Sequence, residues 1–510
     1  MTTNRQRHLN QALMRIPRRA ENTDRYTLAT TYVSAGSFSA MLHSTDHQIL
    51  YGRRGTGKTH ALQYLSDVIE RAGDIAVYLD LRTIGSTGGS EVTADASVRG
   101  THLLVDTLEA IHEELLTLAV ESENDLLGSL DVLAEAATAV EVIGEVEQES
   151  KSAGSSETKH GFDVSATPSA KITAERRHTA SAENRILRTG VERHHVVFGP
   201  LSRALRGISR SLGRRRLWLL LDEWSSIPLD LQPLLADLLR RSVLPVTGIT
   251  VKIAAIERRS RFSVPGAAGD YVGIELGADA ATAVSLDDFL VFNRARTDAQ
   301  EFFGQLFFNH SKDLLVHMVG TTAPKNAAEF VEQTFQRNAF LELVRAAEGV
   351  PRDAINIAAL AAQYAHSDLT DLEDVRRAAR DWYLRDKQAA IDSNPTARAT
   401  LRKLVNEVVG KRRSRTFLLE HSAGSEHHAV DVLYDARLLH VLRRGMVDKH
   451  HPGTLYDGFA IDYGCYVALL LDGEFPSRPR HRGGWLNWAH SVPPDGFDFG
   501  AEAIDLSTLD

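Results

Sequence analysis

The residues whose types and spacing could do chemistry begin with a glycine-rich loop near residue 52. Gly52, Gly57 and the pair Lys58-Thr59 match G-x-x-x-x-G-K-[ST], the phosphate-binding loop (P-loop) of nucleoside triphosphatases. Such loops turn backbone N–H groups toward a phosphate at a helix N-terminus, while the lysine reaches the β- and γ-phosphates and the threonine hydroxyl binds Mg²⁺. The pattern predicts a site for ATP and Mg²⁺ built by Gly52, Arg53, Arg54, Gly55, Thr56, Gly57, Lys58, Thr59 and His60.

A second pattern places two carboxylates after an apolar strand, as in the Walker B motif. The run Leu217 to Leu221 is apolar throughout and is followed at once by Asp222 and Glu223. Asp222 would hold Mg²⁺ through water, and Glu223 stands where a general base would align water against the γ-phosphate. The pair therefore predicts hydrolysis of the nucleotide.

The elements around these motifs read as a nucleotide-binding sheet. A short apolar strand leads into the P-loop, an amphipathic helix leads out of it, and further apolar strands alternate with helices. Strands of this kind, continuous in apolar character, are typical of a parallel, doubly wound α/β sheet. The predicted strands after the first are Ile75–Leu81, Leu217–Leu221, Ile249–Ile256 and Tyr271–Leu276.

A long insertion at about 84–198 interrupts this order after the second strand. Leucines at helical spacing from Leu103 to Leu118 predict one helix, and Asp125 to Gly144 predicts another. From Glu145 to about Gly190 the composition is rich in Ser, Thr, Glu and Lys, which predicts flexible chain. Two short segments on either side of Pro168 could pair there as a small hairpin.

We place the sheet domain at 46–290. The chain around it is predicted to form an N-terminal arm (1–45), a helical domain (291–393) and a C-terminal domain (394–510). We expect Met1 to Ala20 to be a mobile arm or a short helix, and Glu21 to Asp46 to fold over the adenine. The tail reads as helix, strand, helices and a two-stranded hairpin, the order of a winged helix. Its basic residues predict phosphate contacts with DNA, or else a solvated rim on a protein-binding platform: Lys411, Arg412, Arg413, Arg415, Arg437, Arg443, Arg444, Arg478, Arg480, His481 and Arg482.

Composition limits the class of protein. Apolar residues make up 43% and charged residues 25% of the chain, as in ordinary globular proteins. The single cysteine, Cys465, excludes a disulfide scaffold and suits a reducing cytoplasm. No signal peptide or membrane-length apolar run is present. With a net charge of −9, nucleic-acid binding would need a local basic face.

Together these motifs resemble AAA+ ATPases, within them the origin-recognition-complex type of replication initiator, in a bacterial-like form. The resemblance implies a sheet order of 5-1-4-3-2, a helical lid and a neighbouring subunit's arginine in the active site. Gly349-Val-Pro-Arg352 resembles the lid motif called sensor 2, so Arg352 would reach the γ-phosphate. Arg259-Ser-Arg261-Phe resembles the arginine-finger motif, with Arg261 as the finger. The usual sensor 1 Asn or Thr is absent, so finger and sensor stay open alternatives.

The function expected on this basis is an ATPase that assembles with itself or a partner ATPase subunit and remodels or loads something on DNA. A signalling ATPase of the STAND group is an alternative, in which ATP holds a switch and the winged helix serves as a regulatory clamp. An arginine after the fourth strand and Gly349-x-Pro351 favour that alternative. A third is a defence ATPase acting with a separate effector protein, since no nuclease constellation is visible.

Overall fold

The chain forms two compact units in a computed structural model. The sheet unit comprises Ser44–Tyr51 and Leu62–Val284, and the helical unit comprises Met1–His43, Gly52–Ala61 and Ser285–Asp510. The structure describes residues 2–34, 38–84, 96–122, 126–136, 139–151, 158–161, 173–176, 183–195, 198–266, 270–279, 282–287, 296–336, 338–412, 414–420, 428–448, 453–471 and 503–506.

The strands, in chain order, are β1 (Gln48–Tyr51), β2 (Ile75–Asp80), β3 (Ala139–Lys151), β4 (Thr158–Gly161), β5 (Thr173–Arg176), β6 (Glu183–His195), β7 (Leu217–Asp222), β8 (Ile249–Ala255), β9 (Ser263–Pro265), β10 (Tyr271–Gly273), β11 (Thr282–Ser285), β12 (Thr416–Glu420), β13 (Leu439–Val447) and β14 (Leu455–Ile461).

The α-helices are α1 (Thr2–Met14), α2 (Arg25–Thr31), α3 (Phe38–Leu42), α4 (Lys58–Arg71), α5 (Ala96–Ser122), α6 (Leu126–Ala136), α7 (Phe198–Ser211), α8 (Gln232–Ser242), α9 (Arg296–Val319), α10 (Ala327–Thr334), α11 (Ala339–Ala347), α12 (Pro351–Ala365), α13 (Leu372–Trp382), α14 (Pro395–Leu404), α15 (His428–Asp435) and α16 (Gly464–Leu471). Among the described residues, no helix is both long and apolar enough to cross a membrane.

The central sheet has the order β11-β1-β8-β7-β2. When the five strands of this sheet are numbered 1 to 5 in chain order, their order in the sheet is 5-1-4-3-2, so the predicted order is confirmed. The pairs β1–β8, β8–β7 and β7–β2 are parallel. Every residue of β7 and β8 is buried, as expected of central strands covered on both faces. The register places Tyr51 opposite Ala255 and Leu221 opposite Ile253, so β1 and β7 end at the same edge.

The fifth strand of this sheet was predicted at the wrong place. Tyr271–Gly273 forms a two-stranded antiparallel sheet with Ser263–Pro265. The edge strand is Thr282–Ser285, a four-residue segment that follows soon after. Its sequence, Thr-Ala-Val-Ser, is too short and too polar to stand out as an apolar run, whereas Tyr271–Leu276 alternates apolar residues and therefore looked like the stronger candidate.

The insertion contains two helices and an antiparallel ribbon. Helix α5 buries the predicted leucine stripe, and α6 ends at Ala136 instead of continuing to Gly144. Strand β3 pairs with β6 over thirteen residues each, so Glu145–Lys151 and Glu183–Gly190 are strands rather than flexible chain. Valine and glutamate alternate from Val140, which is typical of a strand, but the polar composition of the segment favoured the prediction of flexible chain. Strand β4 pairs with β5, whereas 162–166 and 170–172 of the predicted hairpin lie outside the described residues.

The helical unit is built around a core to which the N-terminus contributes. Leu9 and Leu13 of α1 are buried in one cluster with Phe303 and Phe307 of α9. The Asn10 amide also donates to the carbonyl of Asp368 at 3.0 Å. Of the two alternatives predicted for the first twenty residues, the short helix is observed: α1 spans Thr2–Met14, and its apolar face is buried in the same core as α9.

The C-terminal segment has the predicted succession of helix, strand, helix and hairpin. Strands β12, β14 and β13 form a three-stranded antiparallel sheet after α14. Two boundaries differ from the prediction. Leu439 to Arg443 belong to β13 and not to a helix, and β14 ends at Ile461, after which Gly464–Leu471 is helical. Branched and aliphatic residues occupy both stretches, so their periodicity was ambiguous.

Candidate functional site

The P-loop joins β1 to α4 in a conformation that depends on its glycines. Gly55 and Gly57 have φ values of +85° and +95°, a region that side chains rarely adopt. A Cβ on Gly55 would also lie 2.6 Å from Cβ of Arg352, so glycine is required there twice over. Helix α4 begins at Lys58, whose Nζ donates to the carbonyls of Gly52 at 2.8 Å and Arg53 at 3.1 Å. The loop therefore has the form that cradles a phosphate.

The predicted sensor residue lies directly against this loop. The backbone N–H of Arg352 donates to the carbonyl of Gly55 at 3.1 Å, in the first turn of α12 after Pro351. Burial and the positive charge of Arg437 lower the pKa of Arg352. A bound anion would oppose both effects, because it stabilises the charged guanidinium. The structure thus brings together Gly55, Lys58 and Arg352, three residues that the sequence placed in one site.

An apolar cleft opens beside the loop. The segment before β1, which we expected near the adenine, supplies part of its wall. Phe302 and Leu306 also face it, so the aromatic stripe of α9 is divided between this cleft and the core that holds Phe303 and Phe307. The lining residues are Thr31, Tyr32, Val33, Phe38, Thr56, Gly57, His60, Leu286, Phe302, Leu306 and Pro351.

The side chain of Arg53 points into the protein interior, although the sequence placed it among the nucleotide-binding residues. It is 2% exposed. Its Nε donates to Asp287 Oδ1 at 2.8 Å, and its backbone N–H donates to Asp287 Oδ2 at 3.0 Å. Burial alone would raise the pKa of Asp287, but the charge and hydrogen bonds of Arg53 hold it below its ordinary value. Arg53 Nη1 also donates to His440 Nδ1, which comes from β13.

From His440 a chain of buried charges returns to the P-loop. His440 Nε2 donates to Asp462 Oδ2 at 2.9 Å, and Lys387 Nζ lies 2.6 Å from the same oxygen. Lys387 also lies 3.0 Å from Asp353 Oδ2, and Arg437 Nε lies 3.2 Å from that oxygen. Asp353 directly follows Arg352 in α12. The P-loop is therefore held at Arg53 and at Gly55 by two ends of one network.

The Walker B carboxylates end β7 as predicted. Asp222 is 1% exposed, and its carboxylate accepts from the Tyr78 hydroxyl at 2.8 Å and from the backbone N–H of Glu223 at 2.8 Å. Burial and the negative charge of Asp222 raise the pKa of Tyr78 well above its usual value. Glu223 has φ of 57°, an uncommon conformation for a residue other than glycine and one often found at functional sites.

The arginine segment after β8 is tied to the Walker B turn by two side chains that the sequence did not single out. The Ser225 hydroxyl accepts from the backbone N–H of Ile256 at 2.7 Å. Gln232 donates to the carbonyl of Arg259 at 3.2 Å and accepts from the backbone N–H of Arg261 at 2.7 Å. The side chains of Arg259 and Arg261 are exposed. A serine three residues after Asp222 was the available signal, but many turns contain serine.

Two of the basic residues predicted to contact DNA are buried inside the protein and paired with carboxylates. Arg415 is 1% exposed and pairs with Glu348. Arg437 is 5% exposed and pairs with Asp353 and Asp386. These two predictions are therefore wrong, because sequence cannot distinguish a solvated arginine from one buried in an ion pair. Among the described residues of this set, Lys411, Arg443 and Arg444 are exposed, whereas Arg413, Arg478, Arg480, His481 and Arg482 lie outside the described residues.

Comparison with known proteins adds little to this geometry. No protein-family model matches the sequence, and no curated protein is found to be similar. The chain is similar to a solved structure of the Aeropyrum pernix ORC1 protein in complex with DNA, at 12% identity and a TM-score of 0.31, covering 89% of this chain and 97% of that one. A similarity this weak supports no argument about function. The fold class follows from the chain itself, which has a P-loop after the first strand of a five-stranded α/β sheet of order 5-1-4-3-2.

Proposed function

We propose that the chain binds MgATP at the P-loop and hydrolyses it. The observation that carries this proposal is the docking of Arg352 on Gly55 beside Lys58, because it sets two cationic side chains at a phosphate-shaped loop. Lys58 would leave the loop's own carbonyls to contact the β- and γ-phosphates. The adjoining cleft has the apolar lining on which a purine base could stack.

A magnesium ion bound together with the nucleotide belongs to this proposal. Thr59 would supply its hydroxyl, and Asp222 would hold the ion through water; the bound ion would neutralise charge on the phosphates. Glu223 would align the attacking water, and Arg261, with Arg259 as the other candidate, would act as the finger toward a neighbouring subunit. Arg352 would stabilise charge that develops at the γ-phosphate.

The experiment that tests hydrolysis is the Glu223→Gln substitution. The amide keeps the size of the side chain but cannot act as a base, so ATP should still bind while steady-state turnover falls by about a hundredfold or more. Glu113→Gln, on an exposed position of α5, is the matched control and should keep wild-type turnover. Unchanged hydrolysis in Glu223→Gln would remove Glu223 from its role.

Action on DNA is the finer proposal, and it concerns the exposed arginines of β13. Arg443 and Arg444 are adjacent and exposed, and would contact phosphates. If they do, the double substitution Arg443→Ala/Arg444→Ala should weaken DNA binding and reduce its dependence on salt concentration by about two counterions. Binding with an unchanged salt slope would place the contact elsewhere or exclude it.

A second candidate function is a nucleotide-held switch, in which the C-terminal segment clamps the P-loop. The buried contact of Arg53 with Asp287 and His440 favours it, since a loop that only binds substrate needs no such attachment. His440→Leu should then speed the release of bound nucleotide, while an ATPase without a clamp should release it at the wild-type rate. Protein purified with tightly bound nucleotide and negligible turnover would also favour the switch. DNA-stimulated turnover would favour the first function.

A further inference from the structure

The histidine that follows the P-loop threonine is fixed in one protonation form by the N-terminal segment. His60 Nε2 lies 2.6 Å from the carbonyl oxygen of Leu28, at α2. A carbonyl oxygen can only accept, so Nε2 carries the proton and Nδ1 is left as an acceptor in the neutral ring. Burial lowers the pKa of His60 below its usual value, which keeps the ring neutral at physiological pH.

The ring itself is held in place by two neighbours. Tyr32 meets it edge-on at 5.4 Å between centroids, and His310 does so at 6.1 Å. Of these three residues, His60 and Tyr32 line the apolar cleft, whereas His310 packs behind His60 and is not part of the lining. His60 is thus one of the few polar groups in a wall made largely of aliphatic and aromatic side chains, together with Thr31 and Thr56.

A hydrogen-bond acceptor that faces the 6-position of the base would discriminate between purine bases. Adenine carries an amino group, a donor, at its 6-position, whereas guanine and hypoxanthine carry a carbonyl oxygen there. An acceptor that meets the amino group gains a hydrogen bond, and one that meets a carbonyl leaves two buried acceptors unpaired. Sites that hydrogen-bond a specific polar group reject analogues lacking it far more strongly than apolar pockets do.

We propose that His60 is the residue that makes the site specific for adenine nucleotides, with Nδ1 accepting a hydrogen bond from the 6-amino group of the base. The proposal rests on the proposed nucleotide site and deepens it by naming the base. Leu28 acts through His60 as a positioning residue, since its carbonyl selects the tautomer. His60 therefore combines two tasks, packing the first turn of α4 and reading the base.

The test is equilibrium binding of ATP and ITP, which differ in the purine ring at the 6-position and the adjoining N1 proton. The wild-type protein should bind ATP about tenfold more tightly than ITP, and His60→Phe should bind the two within about twofold of each other. His60→Gln should bind ATP nearly as well as wild type but lose the discrimination, because its amide can present either an acceptor or a donor. His310→Phe is the matched control and should keep the full preference for ATP.

The outcomes separate this proposal from the nucleotide site on which it rests. Equal affinity of the wild-type protein for ATP and ITP, or a preserved preference in His60→Phe, would overturn the role of His60 and leave the phosphate site standing. Failure of the wild-type protein to bind either nucleotide would overturn both. If His60→Phe does not fold, as seen in its circular dichroism spectrum, the comparison of His60→Gln with wild type decides the question alone.

Discussion

Removing the charge of Asp287 tests whether the P-loop is anchored by a buried ion pair. The side chains of Arg53 and Asp287 are only 3% and 8% exposed, and two hydrogen bonds join them. Asp287→Leu leaves a guanidinium buried without its carboxylate, and breaking a buried pair in this way costs about 3–5 kcal/mol of unfolding free energy. Arg53→Met removes the guanidinium, but the Asp287 carboxylate keeps its hydrogen bonds from the backbone N–H of residue 53 and from the Tyr434 hydroxyl, so this variant should cost less than Asp287→Leu.

The double variant carries the sharper expectation. Replacing both partners by apolar side chains of similar volume removes the desolvation penalty together with the attraction. The loss of unfolding free energy in Arg53→Met/Asp287→Leu should therefore be smaller than the summed losses of the two single variants, by about 2 kcal/mol or more. His440 and Tyr434 lose a partner as well, which keeps the double variant below wild type.

The assay is urea unfolding followed by circular dichroism, with the pair's contribution read from a double-mutant cycle. Lys411→Ala is the control from the same unit, because Lys411 is largely exposed and its pairing with Glu407 is screened by water. Its midpoint should match that of wild type. Additive costs in the cycle, or single variants as stable as the control, would refute the reasoning that the Arg53–Asp287 pair is a buried anchor.

Two further predictions concern other parts of the molecule. Arg261→Ala should lower ATP turnover, and mixing it with Lys58→Ala subunits should restore part of the activity, since the intact P-loop of an Arg261→Ala subunit would then meet the intact finger of a Lys58→Ala neighbour; absence of rescue would count against a finger acting between subunits. Burial lowers the pKa of His310 to about 4, so the unfolded chain binds a proton between pH 6.5 and 4 that the folded chain does not, and stability falls as pH decreases through that window. His310→Phe should flatten that part of the stability profile in urea unfolding at pH 7 and pH 5, and an unchanged slope would contradict it.

Local motifs were sufficient to place the phosphate loop between a strand and a helix, and the strand order followed from the family resemblance that those motifs carry. The P-loop and the Walker B pair are contiguous in sequence, so their geometry follows from short-range chain conformation. Arg352 could be placed because Pro351 marks the start of its helix and because the preceding glycine follows a family pattern. These predictions needed no knowledge of which distant segments meet.

The attachment of Arg53 could not be predicted, because its partners come from distant parts of the chain. Asp287 lies 234 positions away and His440 lies 387 positions away. A buried arginine and a solvated one look the same in sequence, which is also why Arg415 and Arg437 were taken for DNA-binding residues. Charged residues in the interior depend on tertiary pairing, and neither periodicity nor propensity reports it.

The prediction of flexible chain in the insertion was wrong for a different reason. Its composition from Glu145 is that of unstructured chain, yet β3 and β6 pair residue for residue from Ala139 with His195 to Lys151 with Glu183. Strands are stabilised by backbone hydrogen bonds and by side-chain pairs with the neighbouring strand. A polar segment can therefore form a strand without an apolar pattern that would reveal it in the sequence. Composition therefore predicted the wrong state, although the alternation of valine and glutamate after Ala139 was present.

Isothermal titration of the full chain with MgATP tests the central claim most directly. The account predicts saturable binding at one site per chain, weakened about tenfold or more by Lys58→Ala, because that ammonium group is the loop's own cation for the β- and γ-phosphates. Absence of binding by the wild-type chain, or equal affinity in Lys58→Ala, would contradict it.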